Sequence, residues 1–158
     1  MQHVVGIADM KISKNPEDSL ITPALGSCLG VTLHDSITGV GGMIHIMLPM
    51  SKIDKEKARK NPFMFVDTGI PELFKKAYTL GAKKENITVK VAGGAKILDA
   101  ANRFNIGERN YILLRKILWK NNVLIDSEDV GGGDSRTLSL SVSTGTVTIR
   151  TNGQAKEL

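Results

Sequence analysis

Short apolar, β-branched runs alternate with Gly- and Pro-punctuated turns along most of the 158-residue chain. His3–Ala8 predicts a first strand and Asn15-Pro16-Glu17-Asp18-Ser19 a turn. Leu20–Thr22 predicts a short strand, and Leu29–Leu33 another after the Gly26-Ser27-Cys28 turn. Asp35–Gly39 reads as a hairpin connection into Val40–Leu48, apolar at enough successive positions to be buried on both faces. Pro49 ends that run, and the polar, basic Ser51–Asn61 segment predicts an exposed loop or a frayed helix. Thr68 predicts the N-cap of a helix with Pro71 in its first turn, apolar Leu73, Phe74, Ala77 and Leu80, and Gly81 as terminator. Asn86–Ala92 alternates as a strand does. A short helix is expected near Ile97–Arg103 and a longer one near Glu108–Asn121, with Leu113, Leu114, Ile117 and Leu118 on one face. Val123–Ile125 predicts a strand, Gly131–Asp134 a flexible loop, and Thr137–Val142 with Thr146–Thr151 a hairpin around Thr144-Gly145. Residues 152–158 are expected to form a loose tail. Strands and helices mix without βαβ alternation, which favours an α+β fold over a doubly wound sheet.

Length and composition narrow this further. A chain of 158 residues suits a single domain that buries roughly two-thirds of its unfolded surface and folds without disulfide or metal. The single cysteine excludes an intramolecular disulfide and a Cys-rich zinc site. No window approaches the roughly 18 apolar residues of a membrane span, and the N-terminus lacks a secretory pattern, so a cytoplasmic protein without membrane insertion is expected. A net charge of +5 favours a polyanionic partner surface. Aromatics at 4% leave few platforms for base stacking, so nucleic acid is not the expected partner.

The chemistry concentrates between Thr22 and Pro49. Cys28 follows a Gly-Ser turn between two β-like segments, where Gly26 and Ser27 permit a sharp bend that presents a thiol and successive N–H groups at one point. Such N–H groups suit a developing oxyanion. A free thiol is only a few per cent ionised at neutral pH, so it needs a neighbouring base to attack. Taken alone, Cys28 reads more readily as a small buried hydrophobe than as a nucleophile. His45 stands in an otherwise apolar strand, where a neutral imidazole has to find partners for both nitrogens. If the Cys28 and His45 segments form a hairpin, their separation of seventeen positions allows the side chains to meet as nucleophile and base. Thr22, on the preceding strand, can orient the other ring nitrogen. The alternatives are a structural histidine on a backbone carbonyl and an ordinary strand threonine. His3 and His34 sit at a chain end and a strand end, where solvated polar residues are ordinary. No metal-ligand spacing, P-loop or dinucleotide fingerprint is present. The Gly131–Arg136 loop reads as a connector, or as a backbone wall with Gly132 and a cationic Arg136.

These residues resemble the CheD family of chemoreceptor glutamine deamidases. The resemblance runs in order through Thr22-Pro-Ala-Leu-Gly26-Ser27-Cys28, Gly41-Gly42-Met43-Ile44-His45-Ile46-Met47-Leu48-Pro49, Lys90-Val91-Ala92-Gly93-Gly94-Ala95-Lys96, Ile106-Gly107-Glu108-Arg109-Asn110 and Asp129–Arg136. Phe65-Val66-Asp67 fits the family's opening to its first long helix, while three glycines and an Asp stand where a Gly-Gly pair is usual before Arg136. The resemblance implies Cys28 as nucleophile, His45 as base and Thr22 as third member of the triad. It further implies a fold like the catalytic domain of cytotoxic necrotizing factor toxins, with β-sandwich-like mixed sheets flanked by helices. It implies methyl-accepting chemotaxis receptors as substrates, their glutamines hydrolysed to glutamate and ammonia without a cofactor. Methyl-ester cleavage at the same sites is the same acyl transfer. A CheC-type phosphatase is an implied partner where one exists. A non-catalytic regulatory module binding a phosphatase or receptor is the other function compatible with these residues.

Overall fold

The computed structural model describes residues 1–96 and 104–158, which form ten strands and three α-helices in an α+β arrangement. The strands are β1 (Gln2–Val4), β2 (Met10–Ser13), β3 (Ser19–Leu25), β4 (Leu29–Asp35), β5 (Gly41–Ile46), β6 (Ile87–Gly93), β7 (Ile125–Val130), β8 (Arg136–Ser141), β9 (Val147–Thr151) and β10 (Gln154–Glu157). The helices are α1 (Lys55–Lys60), α2 (Val66–Thr79) and α3 (Ile106–Lys120). Two five-stranded sheets result, with strand orders β1-β3-β8-β9-β10 and β2-β5-β4-β6-β7. Each sheet is mixed: β1 runs parallel to β3 and β7 parallel to β6, and the remaining pairs are antiparallel.

Three layers follow from where the apolar side chains go. Leu20, Leu25, Leu138, Leu140 and Ile149 of the first sheet meet Met43 and Ala92 of the second in one core. The opposite face of the second sheet, including Leu29, Val31, Leu33, Ile44 and Ile46, packs on Ile70, Leu73 and Ala77 of α2 and Leu114 and Leu118 of α3. Covered on both sides, β4 and β5 are buried at every position. That explains the unbroken apolar run expected of Val40–Leu48.

Several local expectations are corrected. The first strand stops at Val4, and the Met10–Ser13 strand carried no distinctive pattern. The α2 helix begins at Val66 after Phe65, so the Phe-Val-Asp opening holds and Thr68 is not its cap; the Thr68 hydroxyl bonds back to the Pro62 carbonyl. Pro71 consequently lies inside the helix. The Ser51–Asn61 segment forms a 3₁₀ turn and α1, capped by the Asp54 carboxylate accepting from Lys57 N–H. The strand expected at Val123–Ile125 begins only at Ile125 and continues through the polar Asp-Ser-Glu-Asp stretch, because an edge strand does not need an apolar outer face. Residues 152–158 are not a loose tail. Asn152 and Gly153, both at positive φ, make a two-residue hairpin turn that pairs β10 with β9. Lys156 then reaches Asp129 at 2.9 Å and Lys90 donates to the Leu158 carbonyl at 2.8 Å. The short helix expected at Ile97–Arg103 lies outside the described residues.

Candidate active site

The β4–β5 hairpin pairs Gly30 directly with His45 and Leu29 with Ile46. His45 points away from the helices, into the layer between the sheets, where it is 1% exposed. Thr22 of β3, fully buried, meets it from the facing sheet at 2.7 Å, Oγ1 to Nδ1. The Thr22 hydroxyl also donates to the Val5 carbonyl at 2.7 Å. A hydroxyl has one hydrogen, and the carbonyl takes it, so the ring has to donate from Nδ1. This assigns the tautomer: Nδ1 carries the proton and Nε2 carries the lone pair. Nε2 is buried and without a hydrogen-bond partner among the described residues. Burial holds the His45 pKa down from 6.5 to about 4, so the imidazole is neutral at pH 7.

Cys28 sits in the Gly26–Cys28 bend just before β4, half-buried, and packs against the same inter-sheet core that His45 faces. Burial pushes its thiol pKa up, and hydrogen bonding from its own backbone N–H acts the other way by a smaller amount. No hydrogen bond joins the sulfur to Nε2 in this resting geometry; such contacts commonly tighten only when substrate binds.

The bend itself is held from three sides. The Gly26 carbonyl accepts from Ala95 N–H at 2.8 Å and the Cys28 carbonyl from Gly94 N–H at 2.9 Å. Asn110 of α3, fully buried, donates through Nδ2 to the Ser27 and Met47 carbonyls, both at 3.1 Å. Backbones approach so closely here that side chains are excluded. A Cβ on Gly93, at φ +106°, would lie 2.2 Å from the Cys28 carbonyl oxygen, and one on Gly107 would lie 2.5 Å from the Ala95 carbonyl oxygen. Ahead of the bend, one extra residue between Thr22 and Leu25 bulges β3, with Ala24 at φ +58°. A cleft of about 270 Å³ opens beside Ser27, walled by Gly94–Lys96, Asn105–Glu108, Tyr111, Val130 and Gly131.

Arg136 and Gly132 shape this wall instead of offering a free charge. The Arg136 guanidinium, 7% exposed, donates to the carbonyls of Gly131 at 2.7 Å, Gly93 at 3.3 Å and Asp134 at 3.4 Å, and pairs with the Asp129 carboxylate at 3.2 Å. Burial alone would raise the Asp129 pKa; Lys156 and Arg136 outweigh it and hold the carboxyl below its ordinary range. The Gly132 carbonyl accepts from Lys96 N–H at 2.8 Å, so the triple-glycine loop is tied down on both sides, not a flexible connector. His34 bonds the Val142 carbonyl at 2.7 Å and His3 pairs with Asp18 at 3.1 Å, both remote from Cys28 in the fold. Among the described residues no group of three His, Cys, Asp or Glu side chains is placed to hold a metal ion, and no helix is long and apolar enough to cross a membrane. Asn110 was not among the candidate residues. Its signal is a lone amide at the head of the Asn110, Leu114, Leu118 stripe, a polar residue on an otherwise buried apolar face.

The family model described as CheD chemotactic sensory transduction matches residues 47–151. The chain belongs to the CheD family. The matched span starts just after His45, but relatives within the family align over nearly the whole chain. A probable chemoreceptor glutamine deamidase, CheD 1, of Syntrophus aciditrophicus is 51% identical over 150 residues, covering 95% of this chain and 94% of its own. The CheD of Solibacter usitatus, carrying the same description, is 46% identical over 157 residues, 99% of this chain and 93% of the relative. The probable chemoreceptor glutamine deamidase CheD of Methanococcus maripaludis is 38% identical over 155 residues, 98% of this chain and 97% of the relative.

Proposed function

We propose that this chain is a cysteine hydrolase that converts glutamine side chains of methyl-accepting chemotaxis receptors to glutamate. The observation that carries the reading is the state of His45: Nδ1–H is fixed by Thr22, and a lone pair on Nε2 is left free in the layer against which Cys28 packs. That is the state a base needs to take a thiol proton. The glutamine substrate and the receptor come from the relatives' names.

In this reading the Cys28 sulfur adds to the side-chain amide carbon while its proton passes to Nε2. The resulting oxyanion is held by backbone N–H of the Gly26–Cys28 bend. Nε2–H then protonates the departing nitrogen, the C–N bond breaks, and ammonia leaves a thioester on Cys28. Water attacks the thioester, its proton goes to Nε2, and cleavage of the S–C bond returns the thiol and a glutamate. The net change is one water consumed and one ammonia released. A methyl ester at the same place would follow the same path with methanol as leaving group. The exposed Lys52, Lys55, Lys57, Arg59 and Lys60 present positive charge toward an acidic receptor segment. A free thiol that must stay reduced fits the cytoplasm, and a CheC-type phosphatase is the regulatory partner in this reading.

The test is Cys28→Ala incubated with purified receptor cytoplasmic fragments, with ammonia release and Gln-to-Glu conversion followed by mass spectrometry. Turnover should vanish while the thermal melt and receptor binding stay close to wild type. Undiminished conversion by the variant would remove Cys28 as nucleophile. A wild-type protein that binds the fragments but never converts them would leave a non-catalytic regulatory module.

A further inference from the structure

Asn110 is fully buried, yet its amide oxygen has no hydrogen-bond partner among the described residues. Its orientation is not ambiguous. Both atoms facing Nδ2 are carbonyl oxygens, those of Ser27 and Met47, and carbonyls only accept. The nitrogen therefore faces them and the oxygen is turned to the other side. An unpaired buried amide oxygen is destabilising, and the rest of the stripe, Leu114 and Leu118, is apolar. An apolar side chain at 110 would avoid the orphaned oxygen but leave the two carbonyls without these donors.

The two carbonyls belong to the two segments that bear the proposed chemistry. Ser27 precedes Cys28, and Met47 lies two residues after His45. One amide thus links the end of the nucleophile bend to the end of the base strand. It also sets a peptide plane. In a trans peptide the C=O of one residue and the N–H of the next point in opposite directions, and no peptide among the described residues is cis. Drawing the Ser27 carbonyl toward α3 turns the Cys28 N–H away from α3. That N–H belongs to the residue that bears the sulfur.

We propose that Asn110 is a positioning residue for acyl transfer: its two N–H bonds fix the Ser27–Cys28 peptide plane so that the Cys28 N–H faces the oxyanion formed beside the sulfur. The proposal rests on Cys28 being the nucleophile. The atoms that touch substrate remain those of Cys28 and His45; Asn110 acts through the backbone between them. The bond it preserves matters only when negative charge develops on the amide oxygen, so its loss falls on kcat.

The experiment compares Asn110→Asp, Asn110→Ser and Asn110→Ala with wild type and Cys28→Ala, on receptor fragments and with iodoacetamide. Asp matches Asn in shape but, ionised, donates nothing. Its kcat should fall on the order of 10²-fold, the usual effect of losing one oxyanion donor, with KM little changed. Alkylation of Cys28 by iodoacetamide forms no oxyanion and should stay near the wild-type rate. Two carbonyls and burial raise the introduced carboxyl's pKa, so lowering the pH through it restores one O–H donor. The kcat of Asn110→Asp relative to Asn110→Ala should therefore rise toward acid. Asn110→Ser, with one donor, covers the case in which the aspartate fails to fold, and should show the same split between kcat and alkylation. Full kcat in a folded Asp or Ser variant, with Cys28→Ala inactive, would overturn the proposal and leave the nucleophile intact. Alkylation and kcat falling together would also overturn it, by showing only a loosened bend. An active Cys28→Ala would instead sink the underlying reading.

Discussion

Replacing Thr22 by Val tests the orienting bond with the least change of shape. Thr22 is fully buried and its hydroxyl bridges two groups at 2.7 Å each, the Val5 carbonyl and His45 Nδ1–H. Valine keeps the branched outline and removes the bridge. It leaves one acceptor and one donor buried without these partners, at about 1–3 kcal/mol each, so a loss of roughly 2–6 kcal/mol is expected. At about 2–4 °C per kcal/mol for a chain of this size, the melting temperature should drop by roughly 4–24 °C. The kinetic effect has a separate cause. Without an acceptor at Nδ1, the tautomer that carries hydrogen on Nε2 becomes accessible, and that tautomer cannot take the thiol proton. General-base catalysis contributes about 10²–10⁴-fold, so kcat should fall by at least about 10². Thr22→Ser, which retains the hydroxyl, should recover most of both losses. The assay is ammonia release from receptor fragments alongside a thermal melt. Unchanged kcat in a destabilised Thr22→Val would refute the orienting role, and an unchanged melt would refute the hydrogen-bond accounting.

Two further outcomes follow from the same geometry. His45 holds its pKa near 4 against 6.5 unfolded, so between those values the unfolded chain binds more protons than the native one. Its contribution to stability is therefore undiminished above about pH 6.5 and is lost as pH falls toward 4, by about 3 kcal/mol in all, readable from urea unfolding at a series of pH values. The acid limb of kcat/KM should lie near pH 4, and a limb at the ordinary histidine value would contradict the buried neutral ring. Gly93→Ala places a Cβ 2.2 Å from the Cys28 carbonyl, backbone against backbone at φ +106°, so it should cost several kcal/mol and displace the bend. Circular dichroism and kcat both check it; a stable, fully active alanine variant would show that the approach is not as close as described.

How much of this was readable beforehand depends on how local each cause is. The Gly26–Cys28 bend, the buried β5 and the Gly81 stop are written in short-range pattern, and the structure has all three. Meeting of the β4 and β5 segments followed from the hairpin turn, which sets the register that puts Gly30 opposite His45. What escaped was set by distant partners. The edge strand Ile125–Val130 is polar because only its pairing with β6 holds it, and Pro71 is tolerated inside α2 because the surrounding face is packed on the sheet. The Asn152-Gly153 turn is local too: an Asn-Gly pair suits the positive φ that both residues adopt, and it pairs β10 with β9 where a loose tail is expected. Arg136 read as a charge available to a ligand; four backbone and side-chain acceptors from three segments occupy it. Asn110 stood in a motif without a role, since only the packing of α3 on the bend reveals two carbonyls waiting for it.

The opposed pKa shifts of the sulfur and the imidazole bear on when the proposed chemistry starts. Burial carries the Cys28 thiol above its ordinary range and His45 down to about 4, so transferring the proton between them at rest is uphill from both ends. The resting pair is therefore neutral thiol and neutral imidazole, unlike a site that stores a thiolate–imidazolium pair. Such a thiol is protected from alkylators and oxidants, whose attack scales with thiolate content. Its proton has to leave as the S–C bond forms, when the new negative charge sits on the substrate oxygen instead of on sulfur. In the proposed reaction the backbone donors of the bend then bear on the rate, and Gly93 and Asn110, which fix that bend, act through those donors without touching substrate.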